Sequence, residues 1–194
     1  QPKFTTAKQV MESIIPPKRK NPQPKNKITQ EDRKKIFGRN HNAHKEPAHM
    51  AKMINWALHD LMLEHSEIVL AGEDIGPKGG VYNVTTNLHK NFGPSRVINT
   101  LLDEQTILGL AIGMAHNNIL PITEIQFLAY LHNAEDQLRG EAATLSFFSS
   151  GQYTNPMIIR IAGLAYQRGF GGHFHNDNSF NVLWMPDENY LGKN

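Results

Sequence analysis

The stretch VINTLLDEQTILGLAIGMAHNNILPITEIQF, residues 97–127, decides the fold class. It opens with a short apolar run, continues through a segment rich in small residues, and ends in an apolar run opened by Pro121. These lengths predict a strand at Val97–Thr100, a helix from Asp103 to Ala115 and a strand at Leu120–Phe127. A strand, a helix and a strand in this order are typical of a parallel sheet, whose neighbouring strands need a crossover between them.

The alternation of helices and strands continues on both sides of this stretch. Apolar residues at three- and four-residue spacing predict a helix from Met53 to Met62, and a second helix is predicted at Ala134–Phe147. Glu67–Gly72 and Pro156–Ile161 are short apolar runs that suit buried strands. The sequence therefore predicts an α/β fold, a parallel sheet sandwiched by helices.

Two glycines lie four residues apart inside the central predicted helix, Gly109 and Gly113. Glycine in a helix interior costs about 1 kcal/mol relative to alanine. We therefore expect another helix or another subunit to approach this helix closely.

The first fifty residues differ in charge from the rest of the chain. They hold 12 Lys and Arg against 4 Asp and Glu, whereas residues 51–194 hold 8 against 14. Repeated prolines and like charges favour an extended basic arm or linker at 1–47, followed by a domain at 48–183 and a tail at 184–194.

The arm is expected to contain one short helix, from Thr29 to Phe37. Thr29 is the predicted N-cap, and Glu31 and Asp32 lie in the first turn. The arm is interpreted as a solvated linker, with wrapping of a partner subunit or contact with nucleic acid as alternatives. Its scarcity of aromatic residues argues against nucleic acid.

Several classes of protein are excluded by composition. The absence of cysteine excludes disulfide frameworks and thiolate metal sites. The first thirty residues lack the apolar stretch of a signal peptide, and no segment is long enough for a transmembrane helix. We expect a soluble protein that does not contact a membrane, which is compatible with the cytoplasm.

Glu104 is the first candidate functional residue. It follows a predicted strand and opens a helix, where the helix dipole favours a carboxylate and where Asp103 can act as the cap. A carboxylate after the C-terminal end of a parallel strand is also well placed to face a ligand. The position alone leaves both the structural and the functional interpretation open.

A second candidate group lies in the glycine-rich segment near the C-terminus. His173 and His175 alternate with an aromatic residue, so their rings share one face of an extended segment and can bind a metal or transfer protons. With Asp177 they form a His-x-His-x-Asp pattern similar to that of metallohydrolases of the metallo-β-lactamase type. Those enzymes have a histidine after the aspartate, where this chain has Asn178. A purely structural histidine pair is the third interpretation.

Tyr130 ends an alternating stretch that begins at Glu124. The alternation places Glu124 and Gln126 on a face directed to solvent or ligand. Tyr130 is either a core aromatic or a platform for a cofactor.

The order and spacing of the motifs over residues 51–183 resemble the E1 β subunits of 2-oxo acid dehydrogenase complexes. The segments that carry this resemblance are Gly72–Tyr82, Leu102–Ala115, Pro121–Phe127, Asp136–Leu138, Ser150–Gln152 and Gly171–His175. The resemblance implies the pyrimidine domain of the thiamine-diphosphate-binding fold. After Leu183 the sequence departs from the family pattern, so we expect the domain to be incomplete in this chain.

The resemblance also implies residue roles. Glu104 matches the glutamate that hydrogen-bonds ring nitrogen N1′ of the cofactor's aminopyrimidine, and Tyr130 matches the aromatic residue that packs against that ring. His175 matches the active-site histidine near the substrate and the lipoyl group, and His173 lies beside it.

The implied activity is oxidative decarboxylation of a 2-oxo acid, either pyruvate or, with a slight preference, a branched-chain acid, with acyl transfer to a lipoyl-bearing E2 acyltransferase. The cofactors are thiamine diphosphate and Mg²⁺, which in this family are bound mainly by an E1 α subunit or a fused α portion. The Gly-Asp-Gly motif of that metal site is absent from the sequence, so no metal ligand is assigned to this chain. A second β subunit is a further implied partner. The alternatives are a non-catalytic subunit-docking module and the metallohydrolase.

Overall fold

Four parallel strands form the centre of the molecule in a computed structural model that describes residues 3–14 and 27–162. They are β1 (Ile68–Glu73), β2 (Val97–Thr100), β3 (Leu120–Ile125) and β4 (Ile158–Ile161), and their order in the sheet is β2-β1-β3-β4. All three neighbouring pairs are parallel, which confirms the predicted α/β class.

Helices and helical turns connect the strands. The α-helices are α1 (Ala7–Ile14), α2 (Gln30–Phe37), α3 (Met50–Glu64), α4 (Leu88–Phe92), α5 (Glu104–His116) and α6 (Leu145–Phe148). Short 3-10 segments occupy Gly38–Asn40, Ala43–Lys45, Val81–Asn83 and Leu128–Ala134, and a π-helix spans Gln137–Ala142. Over the described ranges, none of the helices has the length and apolarity needed to cross a bilayer.

Alternate residues of β1 contribute to cores on opposite faces of the sheet, as the period of a strand requires. Ile68 and Leu70 pack with residues of α3 and α4, and Val69 and Ala71 pack with Met114 of α5. A third cluster joins α5 to β3 and to the 3-10 segment at Leu128–Ala134. Helices therefore cover both faces of the sheet, as the sequence predicted.

The predicted cap of α2 is confirmed, but the expectation of an otherwise extended arm is wrong for the described residues. The Asp32 amide donates to Thr29 Oγ1 at 3.1 Å, and the Thr29 amide donates to Asp32 Oδ2 at 3.0 Å. Arg33 of this helix pairs with Asp60 of α3, and α1 packs against α6. These contacts give the basic segment tertiary partners that its charge and proline content do not reveal. The division of the chain into arm, domain and tail stays a prediction.

A buried histidine joins α2 to the domain. The His59 ring lies 5.0 Å from the Phe37 ring and 5.9 Å from the Phe92 ring, measured between centroids. Its Nδ1–H donates to the Asn55 carbonyl at 2.8 Å, and its Nε2 accepts from the Asn91 amide at 3.1 Å. Burial lowers the pKa of His59, so the neutral imidazole fills this position.

The prediction of one continuous helix over Ala134–Phe147 is wrong. The chain passes through 3-10, π and α geometry there, and β3 ends at Ile125 instead of Phe127. Thr144 Oγ1 donates to the Gly140 carbonyl at 2.5 Å, and Asn155 Nδ2 donates to the Ala142 carbonyl at 2.6 Å. Side chains thus occupy carbonyls that a regular α-helix would use, and one of them comes from a distant loop that periodicity cannot anticipate.

The glycines of α5 face open space within the described part of the chain. A Cβ atom added at Gly109 or Gly113 meets no atom within 4 Å. No described helix makes the predicted close approach, and contact with another subunit stays a prediction. At Gly72 of β1, by contrast, an added Cβ would lie 2.9 Å from the Glu124 carbonyl oxygen of β3.

We predict opposite effects for alanine at these two kinds of glycine. Gly72→Ala forces β1 and β3 apart and lowers the free energy of unfolding by about 1–3 kcal/mol. Gly113→Ala meets no atom and gains helix propensity, which raises the free energy of unfolding of the uncomplexed chain by about 0.5–1 kcal/mol. Urea denaturation measures both, and equal stability of the two variants would contradict the described packing.

Candidate functional site

The C-terminal edge of the sheet is the place where this topology favours a ligand. From β1 the chain moves to β2 on one side, whereas β3 and β4 lie on the other side. The strand order therefore reverses between β1 and β3, and ligands of open α/β sheets bind outside the carboxyl ends of the strands at such a point. Glu73 ends β1, and Glu104 follows β2.

Glu104 is a buried carboxyl at the first position of α5. The residue is 7% exposed, and its Oε2 accepts a hydrogen bond from Asn133 Nδ2 at 3.2 Å. Asp103 occupies the N-cap position, but its carboxylate accepts from the Thr106 hydroxyl and makes no cap bond to the backbone. The predicted side-chain cap by Asp103 is therefore wrong. A carboxyl that is buried costs free energy unless it is paired, and Glu104 has a neutral amide as its hydrogen-bond donor.

Two leucines beside Glu104 stand out into solvent. Leu101 is 86% exposed and Leu102 is 70% exposed, and both lie in the turn between β2 and α5. A polar carboxyl is thus buried while adjacent apolar side chains are exposed, which reverses the usual distribution of polar and apolar side chains at a protein surface. Two exposed leucines beside a buried carboxyl make this turn a candidate for contact with a ligand or another chain.

Tyr130 lies in the 3-10 segment Leu128–Ala134, the same segment that carries Asn133. It is half-buried against the core cluster that contains Ile107 and Leu108 of α5, and its ring meets the Phe127 ring edge-on at 5.7 Å. The structure therefore places Tyr130 and Glu104 on two elements that pack together. The proposed role of Tyr130 towards a cofactor stays a prediction.

The histidine candidates His173 and His175, together with Asp177, lie outside the described residues. Across residues 3–14 and 27–162, no three His, Cys, Asp or Glu side chains are grouped so that they could hold a metal ion.

Additional carboxylates make the C-terminal edge acidic. Burial raises the pKa of Glu73, and the neighbouring charges of Asp74 and Glu104 raise it further, although Lys78 acts in the opposite direction. Lys78 Nζ lies 2.9 Å from Asp74. Sequence reasoning missed Glu73, although it comes directly after the predicted strand Glu67–Gly72 and the positional argument used for Glu104 applies to it.

Glu124 is a buried charge, so the predicted position on a solvent face is wrong, and a position on a ligand face stays a prediction. It is 3% exposed and forms an ion pair with Arg160, its register partner on β4. Burial raises the pKa of Glu124, while Arg160 and the backbone N–H of Val81 act to lower it. The pair fixes β3 to β4 next to the C-terminal edge. A single strand's periodicity cannot reveal it because the partner comes from another strand.

Two clefts of the described part lie away from Glu104. One, of about 350 Å³, is at the opposite edge of the sheet and is lined by residues that include His116 and Tyr153. The other, of about 360 Å³, lies between α3 and the 3-10 turn at Val81–Asn83.

Comparison with known protein families agrees with this geometry. The family described as "Transketolase, pyrimidine binding domain" matches residues 46–169, which include the four strands and Glu104. The chain belongs to this family. The fold of the structure thus agrees with the domain that the resemblance to E1 β subunits implies.

Curated relatives within this family are β subunits of 2-oxo acid dehydrogenases. The chain is 38% identical over 123 residues to the 2-oxoisovalerate dehydrogenase subunit beta of Pseudomonas aeruginosa, covering 61% of this chain and 34% of that one. It is 37% identical over 135 residues to the pyruvate dehydrogenase E1 component subunit beta of Acholeplasma laidlawii, covering 70% and 40%. The Staphylococcus epidermidis pyruvate dehydrogenase subunit is 38% identical over 126 residues, covering 65% and 37%. The matched region thus spans between a third and two fifths of these relatives.

The buried ion pair leads to a stability prediction. Arg160→Leu leaves Glu124 buried without its cation and lowers the free energy of unfolding by about 3–5 kcal/mol at neutral pH. Burial raises the pKa of Glu124, and the variant lacks the Arg160 charge that opposes this effect. The folded variant therefore favours the protonated form of Glu124. The deficit is therefore present at neutral pH and shrinks as the pH falls into the range where Glu124 takes up a proton.

The matched control is Arg139→Leu, which removes an arginine from an exposed pair with Asp136 at 3.0 Å. It should change the free energy of unfolding by no more than about 1 kcal/mol. Denaturant titrations at neutral and acidic pH measure both variants. An Arg160→Leu deficit that is as small as the control, or that grows on acidification, would contradict the assignment.

Proposed function

We propose that this chain supplies the pyrimidine-binding half of the active site in the E1 component of a 2-oxo acid dehydrogenase. The observation that carries the proposal is the buried carboxyl of Glu104 at the switch edge of the sheet, beside two exposed leucines. The family match over residues 46–169 supports the same assignment.

The residues at this edge fit the aminopyrimidine ring of thiamine diphosphate. A ring with polar nitrogens and two flat faces suits a carboxyl that can hydrogen-bond and side chains that can pack, and Glu104, Tyr130, Leu101 and Leu102 offer these groups. They do not fit the diphosphate. The edge carries the carboxylates of Glu73, Asp74 and Glu104 beside Lys78, which pairs with Asp74, and the excess of negative charge repels an anion. We infer that the diphosphate and Mg²⁺ are held mainly by an α subunit or a fused α portion.

Within such a site each side chain has a distinct task. Thiamine diphosphate, when bound, supplies the electron sink for loss of carbon dioxide from a 2-oxo acid. Glu104 would offer its carboxyl for proton exchange with ring nitrogen N1′, and its burial would keep water from competing for that contact. Tyr130 would pack against the ring. His175, with His173 beside it, is proposed to act at the substrate and the lipoyl group.

The complete reaction requires other chains. We propose oxidative decarboxylation of pyruvate or a branched-chain 2-oxo acid, with acyl transfer to the lipoyl group of an E2 acyltransferase, in an assembly with an α part and a second β subunit. The relatives named for pyruvate and for 2-oxoisovalerate support this substrate range. We propose a cytoplasmic location for the assembly.

A non-catalytic docking module is the rival that the exposed leucines favour. Docking alone would account for Leu101 and Leu102 being exposed at 86% and 70%. It gives no reason for a buried carboxyl at the same edge, since an apolar residue there would be less costly.

The test of the proposal is Glu104→Gln in the assembled enzyme. Glutamine keeps the size and the Asn133 contact but cannot exchange a proton, so we expect turnover to fall by about 100- to 10,000-fold. The melting temperature should remain within about 2 °C, because shape and burial are retained. Steady-state decarboxylation assays and thermal melts measure both quantities.

Glu141→Gln is the control, since Glu141 is an exposed glutamate on the π-helix at Gln137–Ala142. It should retain wild-type turnover. Full turnover by Glu104→Gln would refute the assignment of Glu104. An assembled wild-type protein that binds its partner but has no decarboxylase activity would favour the docking module.

A further inference from the structure

We propose that Asn133 is a positioning residue that determines which oxygen of Glu104 is available for proton exchange. This inference rests on the proposed function of Glu104.

The contact joins two elements that are distant in sequence. Asn133 Nδ2 donates to Glu104 Oε2 at 3.2 Å across a separation of 29 residues. Asn133 itself is exposed, whereas Glu104 is 7% exposed, so the amide reaches from the surface to a buried carboxyl.

The position of Asn133 is fixed by its neighbours in the 3-10 segment Leu128–Ala134. Leu131 and Ala134 are 3% and 0% exposed, and both pack in the cluster that contains Ile107 and Leu108 of α5. Because Glu104 opens the same helix, the segment that carries the amide and the helix that carries the carboxyl form one packed unit. A rigid mount of this kind fixes the backbone positions of the two residues relative to each other, so that the hydrogen bond depends only on their side-chain rotamers.

The chemistry of the two groups gives the contact its consequence. An amide N–H can only donate, so Oε2 must act as an acceptor whether or not the carboxyl is protonated. When Glu104 carries a proton, its carbonyl oxygen is a better acceptor than its hydroxyl oxygen, so the bond from Asn133 to Oε2 favours the proton on Oε1. Asn133 thus assigns the two oxygens to different tasks, and only Oε1 is left to exchange a proton with a ring nitrogen.

If the role of Asn133 were only structural, its substitution should have the same effects as substitution of another exposed amide bonded to α5. Asn117 provides that matched comparison. Asn117 follows the last turn of the same helix and donates from Nδ2 to the Gly113 carbonyl at 2.8 Å. It is also an exposed amide bonded to α5, but it lies at the opposite end of the helix from Glu104. Asn→Ala at either position should have a similar effect on the melting temperature.

The kinetic experiment compares Asn133→Ala, Asn133→Asp, Asn133→Gln and Asn117→Ala in the assembled enzyme. We expect Asn133→Ala to lower kcat about tenfold, equivalent to about 1.4 kcal/mol, while KM stays within about twofold. Asn133→Asp should lose more, because it removes the donor and adds a negative charge beside Glu104. Asn133→Gln should recover at least part of kcat because it keeps the donor, and Asn117→Ala should match the wild type.

Two further measurements isolate the route through Glu104. In a Glu104→Gln background, Asn133→Ala should cause little additional loss of kcat, because the two residues act as one unit. Independently of activity, the side-chain amide NMR signals of Asn133 should shift on Glu104→Ala, whereas those of Asn117 should not.

The possible results separate this inference from the function on which it rests. If Glu104→Gln is inactive but Asn133→Ala and Asn117→Ala have equal kcat, the positioning role is refuted and the proposed function stands. An undiminished loss from Asn133→Ala in the Glu104→Gln background, or unchanged Asn133 amide signals, refutes the role as well. If Glu104→Gln retains full turnover, the proposed function fails and the role of Asn133 fails with it.

Discussion

The parallel pairing of β1 with β3 is the constraint on which the remaining structure depends. Gly72 lets the two backbones pack without a side chain between them, and its register partner is Glu124. With β3 on one side of β1 and β2 on the other, the connection from β2 to β3 must cross β1, and α5 makes that crossing. The crossing buries α5 against the sheet and brings its first residue, Glu104, to the carboxyl edge. The position of the candidate site is therefore a consequence of the strand order.

The C-terminal edge departs from the rules that the rest of the domain follows. The buried Glu124 is paired with Arg160, and helix α2 begins with a complete capping box. At this edge a carboxyl is buried against a neutral amide, two leucines are exposed, and the pKa of Glu73 is raised by burial and by like charge. Local departures of this kind concentrate at functional sites, where another group completes the interactions.

The sequence was sufficient for features that depend on local pattern. The four strands, helix α5 and the Thr29 cap follow from apolar periodicity and from cap chemistry, and the structure confirms them. The position of Glu104 after a strand also followed from pattern. The order of motifs that resembles E1 β subunits agrees with the matched family and its relatives.

Features that depend on distant partners could not be predicted. The helix predicted after Ala134 is interrupted partly because Asn155, from a later loop, donates to one of its carbonyls. Likewise, the buried Glu124 forms its ion pair with Arg160 of another strand. The bond from Asn133 to Glu104 joins residues 29 apart and has no local signal. Single-sequence reasoning identifies which residue types lie at an edge, but tertiary packing decides which of them meet.

Division of the cofactor site between this domain and an α part is the central claim, and calorimetric titration of thiamine diphosphate with Mg²⁺ tests it most directly. The titration is performed on this chain alone, on a candidate α subunit alone and on their equimolar mixture. The account predicts that the mixture binds at least tenfold more tightly than either chain alone, because the pyrimidine and the diphosphate are then held together. Binding by this chain alone with the affinity of the mixture, or no binding by a mixture that has assembled, would contradict it.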